Sequence, residues 1–326
     1  MKHFKKILYV HHQGGRLAAG FARVLSLAAN NQAQLCVATV APDIRQGYAP
    51  PLASPSGAAM QAQVIAEAKR DLQQMLAKTA TKVHPEELRV LVGDGPIQII
   101  RAVLRERFDL VIKQAEDPSW ISRLFGAEDM QLLRQCPCPV WLMREQERDN
   151  YRCIAAAIDF DPRQPETAWQ GLNQRILDLA SSLALSDFAS LHLLHSWEPH
   201  QASLLPSWGP DDEHSLFDQV AEEQLQQEVM QKTLDWLRQR LGEEAYAYLK
   251  PQAHLLQGSP KQLIPAQIAS LEADLLVMGS LARTGISGLF IGNTAETILE
   301  QIQCGALTVK PKGFVSPVTL EHQSKA

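Results

Sequence analysis

One unit is written twice along this chain, and that repeat limits the possible folds more than any composition figure. The first copy opens on Lys6-Ile7-Leu8-Tyr9-Val10-His11-His12 and the second on Cys153-Ile154-Ala155-Ala156-Ala157-Ile158-Asp159. Each is a short apolar run of the kind a buried strand needs. Amphipathic stretches at 16–30 and 166–185 read as helices, and the runs 34–40 and 190–197 read as second strands. Irregular segments, 42–57 and 199–212, then lead into long helical stretches at 58–81 and 213–241. Third strands are placed near 88–92 and 249–256. Beyond them the copies agree most closely. Gly95-Pro96-Ile97-Gln98-Ile99-Ile100 answers Ser259-Pro260-Lys261-Gln262-Leu263-Ile264, with proline set for a first helical turn. Asp109-Leu110-Val111-Ile112-Lys113 answers Asp274-Leu275-Leu276-Val277-Met278, and Gln135-Cys136 before Val140-Trp141-Leu142 answers Gln303-Cys304 before Leu307-Thr308-Val309.

Each copy therefore alternates strand and helix through five strands. Strict alternation with nearly continuous apolar strands predicts an α/β fold, a parallel sheet covered by helices on both faces. Right-handed crossovers make it doubly wound, with a ligand crevice beyond the strand C-termini. The copies divide as 1–146 and 151–311 around the charged linker Arg144-Glu145-Gln146-Glu147-Arg148-Asp149-Asn150. The tail 312–326 has little apolar periodicity and is expected to be loosely ordered.

At 326 residues the length suits two domains of about 150 residues each. Net charge is −5 with a pI near 6.1, so no nucleic-acid footprint is expected. No run approaches the ~20 apolar residues of a membrane span, and Lys2, Lys5 and Lys6 are not followed by the apolar core of a secretory signal. A cytoplasmic location is the expectation. The five cysteines fit it as structural thiols, Cys136-Pro137-Cys138 being too tight for a Cys-x-x-Cys site.

Only one stretch has the composition of a small-molecule site. Met278-Gly279-Ser280 ends a strand, a glycine-punctuated loop follows, and Gly292-Asn293-Thr294-Ala295-Glu296 opens a helix. Glycines let backbone approach a ligand closely, and a helix N-terminus offers unpaired N–H donors and a positive dipole end. A phosphate group suits both.

These residues resemble the universal stress protein family. Its nucleotide-binding members carry Gly-x-x-Gly, nine residues, then Gly followed by Ser or Thr. Gly279-Ser280-Leu281-Ala282, the nine residues 283–291 and Gly292-Asn293 keep the spacing, with Ala282 in place of the second glycine and Asn293 in place of the hydroxyl residue. The resemblance covers both copies and implies strand order 3-2-1-4-5 in each domain. It also implies that the two fifth strands pair across a pseudo-twofold, an intramolecular counterpart of the family's dimers, with further dimerisation open. It implies a non-catalytic stress-resistance protein, two-domain members being implicated in survival of DNA damage.

The resemblance further implies ATP or a related nucleotide, with Mg²⁺, as ligand of the second domain. Asp159 would reach the ribose and Ser196 would line the base pocket. Met278, Gly279 and Ser280 would approach sugar and phosphates, Arg283 would neutralise a phosphate, and Gly292, Asn293 and Thr294 would donate from the helix start. Each residue has a plainer alternative. Asp159 also fits a helix cap or the Asp159-Phe160-Asp161-Pro162 turn, Arg283 fits an ordinary surface arginine, and the whole loop fits an empty turn kept for packing.

The first copy reads Gln114-Ala115-Glu116-Asp117-Pro118-Ser119-Trp120 in the same frame and carries His12 where the second has Asp159. Acidic residues at the phosphate position and no glycine nest predict that this half binds no nucleotide. Adjacent His11 and His12 point to opposite faces of a strand, as do His192 and His195, so neither pair is expected to hold a metal. Trp197 and Trp208 fit either core or the lining of an apolar cavity. No Walker loop, pyrophosphatase loop or nucleophile–base pair stands out, which argues against an enzyme. The competing reading is a stress scaffold that holds an apolar small molecule or a protein partner.

Overall fold

The computed structural model describes residues 3–12, 20–44, 57–77, 87–115, 126–144, 148, 150–198, 212–280 and 292–320, the side chains of residues 87 and 212–219 excepted. They form two compact units. The first holds the described chain up to 148 together with 305–320, and the second holds 150–280 and 292–304.

The first unit alternates β1 (Lys6–His11), α1 (Gly20–Asn31), β2 (Gln34–Ala41), α2 (Gly57–Ala77), β3 (Glu87–Val92), α3 (Gly95–Glu106), β4 (Leu110–Gln114), α4 (Ala127–Gln135) and β5 (Val140–Met143). Its strands run parallel in the order β3-β2-β1-β4-β5. Burial explains the apolar runs: every residue of β4 and β5 is buried, as a sheet covered on both faces requires. The start of α3 is fixed by Asp94, whose carboxylate accepts the Ile97 N–H at 3.2 Å, and by Pro96 in the first turn.

The second unit contains β6 (Cys153–Ala157), α5 (Gly171–Asp187), β7 (Ser190–Trp197), α6 (Asp212–Leu241), α7 (Glu243–Leu249), β8 (Gln252–Gln257), α8 (Pro260–Ser270), β9 (Leu275–Gly279) and α9 (Asn293–Gln301). Its parallel strands lie in the order β9-β6-β7-β8. Two expectations shift. The stretch read as one helix from 166 is a short 3₁₀ turn, Pro165–Ala168, followed by α5, whose first residue Gly171 has φ of +57°. The third strand begins at Gln252 because the chain turns at Gly242, φ +83°, and winds one more helix, α7, before it.

The repeat extends to backbone capping. Asp109, just before β4, accepts the N–H groups of Lys5 and Lys6 at 2.7 and 3.0 Å. Its counterpart Asp274, just before β9, accepts those of Arg152 and Cys153 at 2.6 and 3.1 Å. Each carboxylate ties the strand it precedes to the first strand of its copy.

The fifth strand of the second copy, β10 (Gly305–Val309), belongs by packing to the first unit. It pairs antiparallel with β5, Ala306 opposite Leu142 and Thr308 opposite Val140. Pairing of the two fifth strands is what the resemblance implied, but the division into five and five strands is not what packing gives: among the described residues the first unit holds six strands and the second four. The physical reason is the edge of β5, whose unpaired backbone groups β10 covers. Just after β10, Lys310 is buried and donates to the carbonyls of Leu133 and Arg134 at 2.7 and 3.1 Å, and burial pulls its ammonium down to about 8. Residues 311–320 follow along the first unit, where Arg101 donates to the Thr319 carbonyl at 3.2 Å.

Candidate functional site

The parallel register of the second unit sets most of the anticipated residues along one end of its sheet. Ala157 of β6 lies opposite both Leu194 of β7 and Met278 of β9, so Asp159, Ser196 and the segment 278–280 all stand at the C-terminal ends of adjacent strands. The Gly292 N–H donates to the Ser280 carbonyl at 3.2 Å, which brings the start of α9 to the end of β9. Arg283 and Ala282 lie outside the described residues, as does Trp208.

Local contacts define what each residue has to offer. Asp159 is exposed; its backbone N–H and carbonyl both bond to the side chain of Asn173, at 3.4 and 2.8 Å. The tight turn that follows is made by Asp161, whose carboxylate accepts the Arg163 N–H at 2.9 Å. Ser196 donates its hydroxyl to the Gly258 carbonyl at 2.5 Å. The Gly292 amide is engaged by Ser280, so Asn293, Thr294 and Ala295 supply the helix's first unpaired donors. Ser280 is fully buried, and its hydroxyl has no hydrogen-bond partner among the described residues.

Gly279 has a packing role. A Cβ at this position would stand 2.6 Å from Leu172 Cδ2 and 3.8 Å from Ile176 Cδ1, so the bare backbone admits α5. Near Asp159, Phe160 stacks on His195 with ring centroids 3.7 Å apart, and His195 reaches the Ile158 carbonyl and the Gln226 amide oxygen at 3.2 Å each. His192 turns the other way, to His254 at 2.9 Å. The two histidines thus serve opposite faces of β7. Trp197 is core. Among the described residues, no three His, Cys, Asp or Glu side chains gather as a metal site.

The corresponding crevice of the first unit is built from different chemistry. Gly126 and Gly292 are the N-caps of α4 and α9, which aligns Glu128 with Thr294 and Asp129 with Ala295. The α4 first turn therefore carries two carboxylates. Asp129, fully buried, pairs with Lys113 at 2.6 Å, and Lys113 takes the place that Met278 has in the second unit. Glu116 and Asp117, read from sequence as the groups that repel phosphate, lie outside the described residues. Sequence reasoning missed Glu128 and Asp129 in this role. The available signal was Lys113, a charge closing the apolar run Leu110-Val111-Ile112 with an acid at the next helix start.

The tandem repeat itself matches a known family. The profile of the universal stress protein family aligns twice, to residues 3–144 and 151–310. The chain belongs to the universal stress protein family. Among its curated relatives is the universal stress protein E of Escherichia coli K12, 28% identical over 246 residues, 73% of this chain and 72% of the relative. The universal stress protein E homolog of Haemophilus influenzae is 25% identical over 315 residues, 94% of this chain and 98% of the relative. Crystal structures share the fold: a protein of Pseudomonas aeruginosa PAO1 superposes with a TM-score of 0.64 at 24% identity, covering 95% of this chain and 94% of that one. A universal stress protein of Archaeoglobus fulgidus follows at 0.53 and 14% identity, covering 94% and 96%. No helix among the described residues of this universal stress protein is long and apolar enough to cross a membrane.

Proposed function

We propose that this tandem universal stress protein works by binding rather than by catalysis, and that it holds ATP or a related nucleotide, with Mg²⁺, in the second unit only. The observation that carries this reading is the contrast between the two helix starts. In the first unit Glu128 and Asp129 occupy the turn where a phosphate would sit, and Asp129 already neutralises Lys113. In the second, Asn293, Thr294 and Ala295 are uncharged at the positions of Ala127, Glu128 and Asp129, and the acidic residue of that turn, Glu296, comes one position later; the buried Ser280 hydroxyl nearby has no hydrogen-bond partner among the described residues. Helix-start amides favour an anion where no carboxylate has taken its place. Asp159, exposed two residues beyond β6, supports the reading as a carboxylate of the kind that accepts from ribose hydroxyls in dinucleotide folds. We place the protein in the cytoplasm, in stress resistance that includes survival of DNA damage.

The test is calorimetry of the full chain with ATP and Mg²⁺, together with assay of adenine nucleotide released when the purified protein is denatured. Saturable binding lost in Thr294→Glu, which copies Glu128 into the second unit, supports the reading. Undetectable binding at millimolar ATP would falsify it. Gly279→Asp is a poor probe, since its side chain meets Leu172 as well as any ligand.

A further inference from the structure

Building on the nucleotide reading of the second unit, we propose that Asn173 is the residue that positions Asp159, and that through it this unit tells ribose from 2′-deoxyribose. Asn173 lies outside the glycine loop and outside the strand ends. It is 7% exposed and stands in the first turn of α5, on the face that also buries Ile176, Leu177 and Ala180.

An amide buried on such a face costs stability unless its hydrogen bonds are made. Asn173 makes three, and all go to main-chain atoms. Its Oδ1 accepts the Asp159 N–H at 3.4 Å, and its Nδ2 donates to the carbonyls of Asp159 and Thr167 at 2.8 and 2.7 Å. One side chain thus holds both main-chain polar groups of Asp159 and ties them to the 3₁₀ turn Pro165–Ala168. Only one amide orientation serves, since the flipped one would set an oxygen against two carbonyls. The flanking residues are held too: the Ile158 carbonyl is bonded to His195 Nδ1 at 3.2 Å, and Thr167 Oγ1 accepts the Asp161 N–H at 3.2 Å. A binding carboxylate needs a main chain fixed in this way, because its reach is measured from a Cα that must not move. The neighbour of Asn173, Leu172, packs against the bare backbone of Gly279. The first turn of α5 therefore touches both the Asp159 segment and the end of β9.

The first copy supplies the contrast. Helices α1 and α5 end alike, the Ala33 N–H bonding to the Ala28 carbonyl and the Ala189 N–H to the Ala184 carbonyl. Aligned on these ends, buried Gly20, Phe21 and Val24 match buried Ile176, Leu177 and Ala180, and in the sequence Leu17 matches Asn173. The copy with His12 at the end of its first strand carries leucine there, and the copy with Asp159 carries the amide. Acid and amide occur together.

The test is calorimetry of the full chain with ATP and with 2′-deoxy-ATP, each with Mg²⁺. Wild type is expected to bind ATP about ten-fold more tightly, the scale of one hydrogen bond to a charged group. Asn173→Leu, which copies the first unit, and Asn173→Ala are both expected to bring that ratio close to one, as is Asp159→Ala. Affinity for 2′-deoxy-ATP is expected to stay within about two-fold in all three, a split that general loosening of the fold would not produce. Asn173 variants that keep the full preference for ATP overturn the inference and leave the nucleotide reading standing, as does a preference retained in Asp159→Ala or absent from wild type. Equal loss of both nucleotides in the Asn173 variants also overturns it, by making Asn173 a structural residue only. Undetectable ATP binding by wild type overturns the nucleotide reading itself and this inference with it.

Discussion

Lys113 and Asp129 form a buried ion pair at 2.6 Å, with 8% and 0% of their side chains exposed, at the position where the second unit has Met278 and Ala295. A buried pair is costly to break by halves, since the survivor is a desolvated lone charge. Asp129→Ala is expected to destabilise the protein by about 3–5 kcal/mol, measured by urea unfolding. The double replacement Lys113→Met with Asp129→Ala, which copies the second unit, is expected to recover most of that loss. A double variant as unstable as the single one would show that the pair organises more than its own charges.

The same comparison run in reverse concerns binding. Thr294→Glu adds a carboxylate to the first turn of α9 two positions before Glu296, closer to the helix-start donors that favour an anion. ATP affinity measured by calorimetry is expected to fall at least about ten-fold, through lost anion attraction and added repulsion. Thermal stability is expected to hold, because acidic residues suit a helix N-terminus.

Gly279 tests packing instead. A methyl group there must displace Leu172 Cδ2 from 2.6 Å, and the Leu172 side chain is half-buried and able to give way. Gly279→Ala is expected to cost about 1 kcal/mol in chemical denaturation, less than overpacking against backbone would. In a Leu172→Ala background the same substitution is expected to cost less, and additive effects would contradict the contact.

The His192–His254 pair sets a pH dependence. Burial lowers both pKa values from the ordinary 6.5, and the neighbouring His254 lowers that of His192 further. Groups whose folded pKa is depressed bind more protons in the unfolded chain, so their stability contribution is complete above 6.5 and is lost as pH falls below it. Unfolding free energy is expected to drop between pH 7 and 5 by at most about 1.4 kcal/mol per pH unit for each histidine. His254→Gln keeps a partner for His192 Nδ1 and is expected to flatten that slope. An unchanged slope in the variant would assign the pH response to other groups.

Much of this architecture was readable without coordinates because its causes are local. Apolar runs such as Leu110-Val111-Ile112 fix buried parallel strands, Asp94 and Pro96 fix a helix start, and the matching of Asp109 with Asp274 reveals two copies whose strands order alike. The loop spacing from Gly279 to Gly292 marked the copy for which a nucleotide site is proposed. What the chain's order hid is chemistry that depends on distance in space. The Lys113–Asp129 pair spans sixteen positions, His11 lines a cavity with Glu128 from another element, and Gly279 answers to Leu172 across more than a hundred residues. The repeat also assigns β10 to the second copy, while packing gives it to the first, because an exposed strand edge is satisfied by whichever backbone reaches it. Periodicity and capping act within a few residues and are written in the sequence. Charge pairing, close packing and edge closure arise only when the folded chain brings distant residues together.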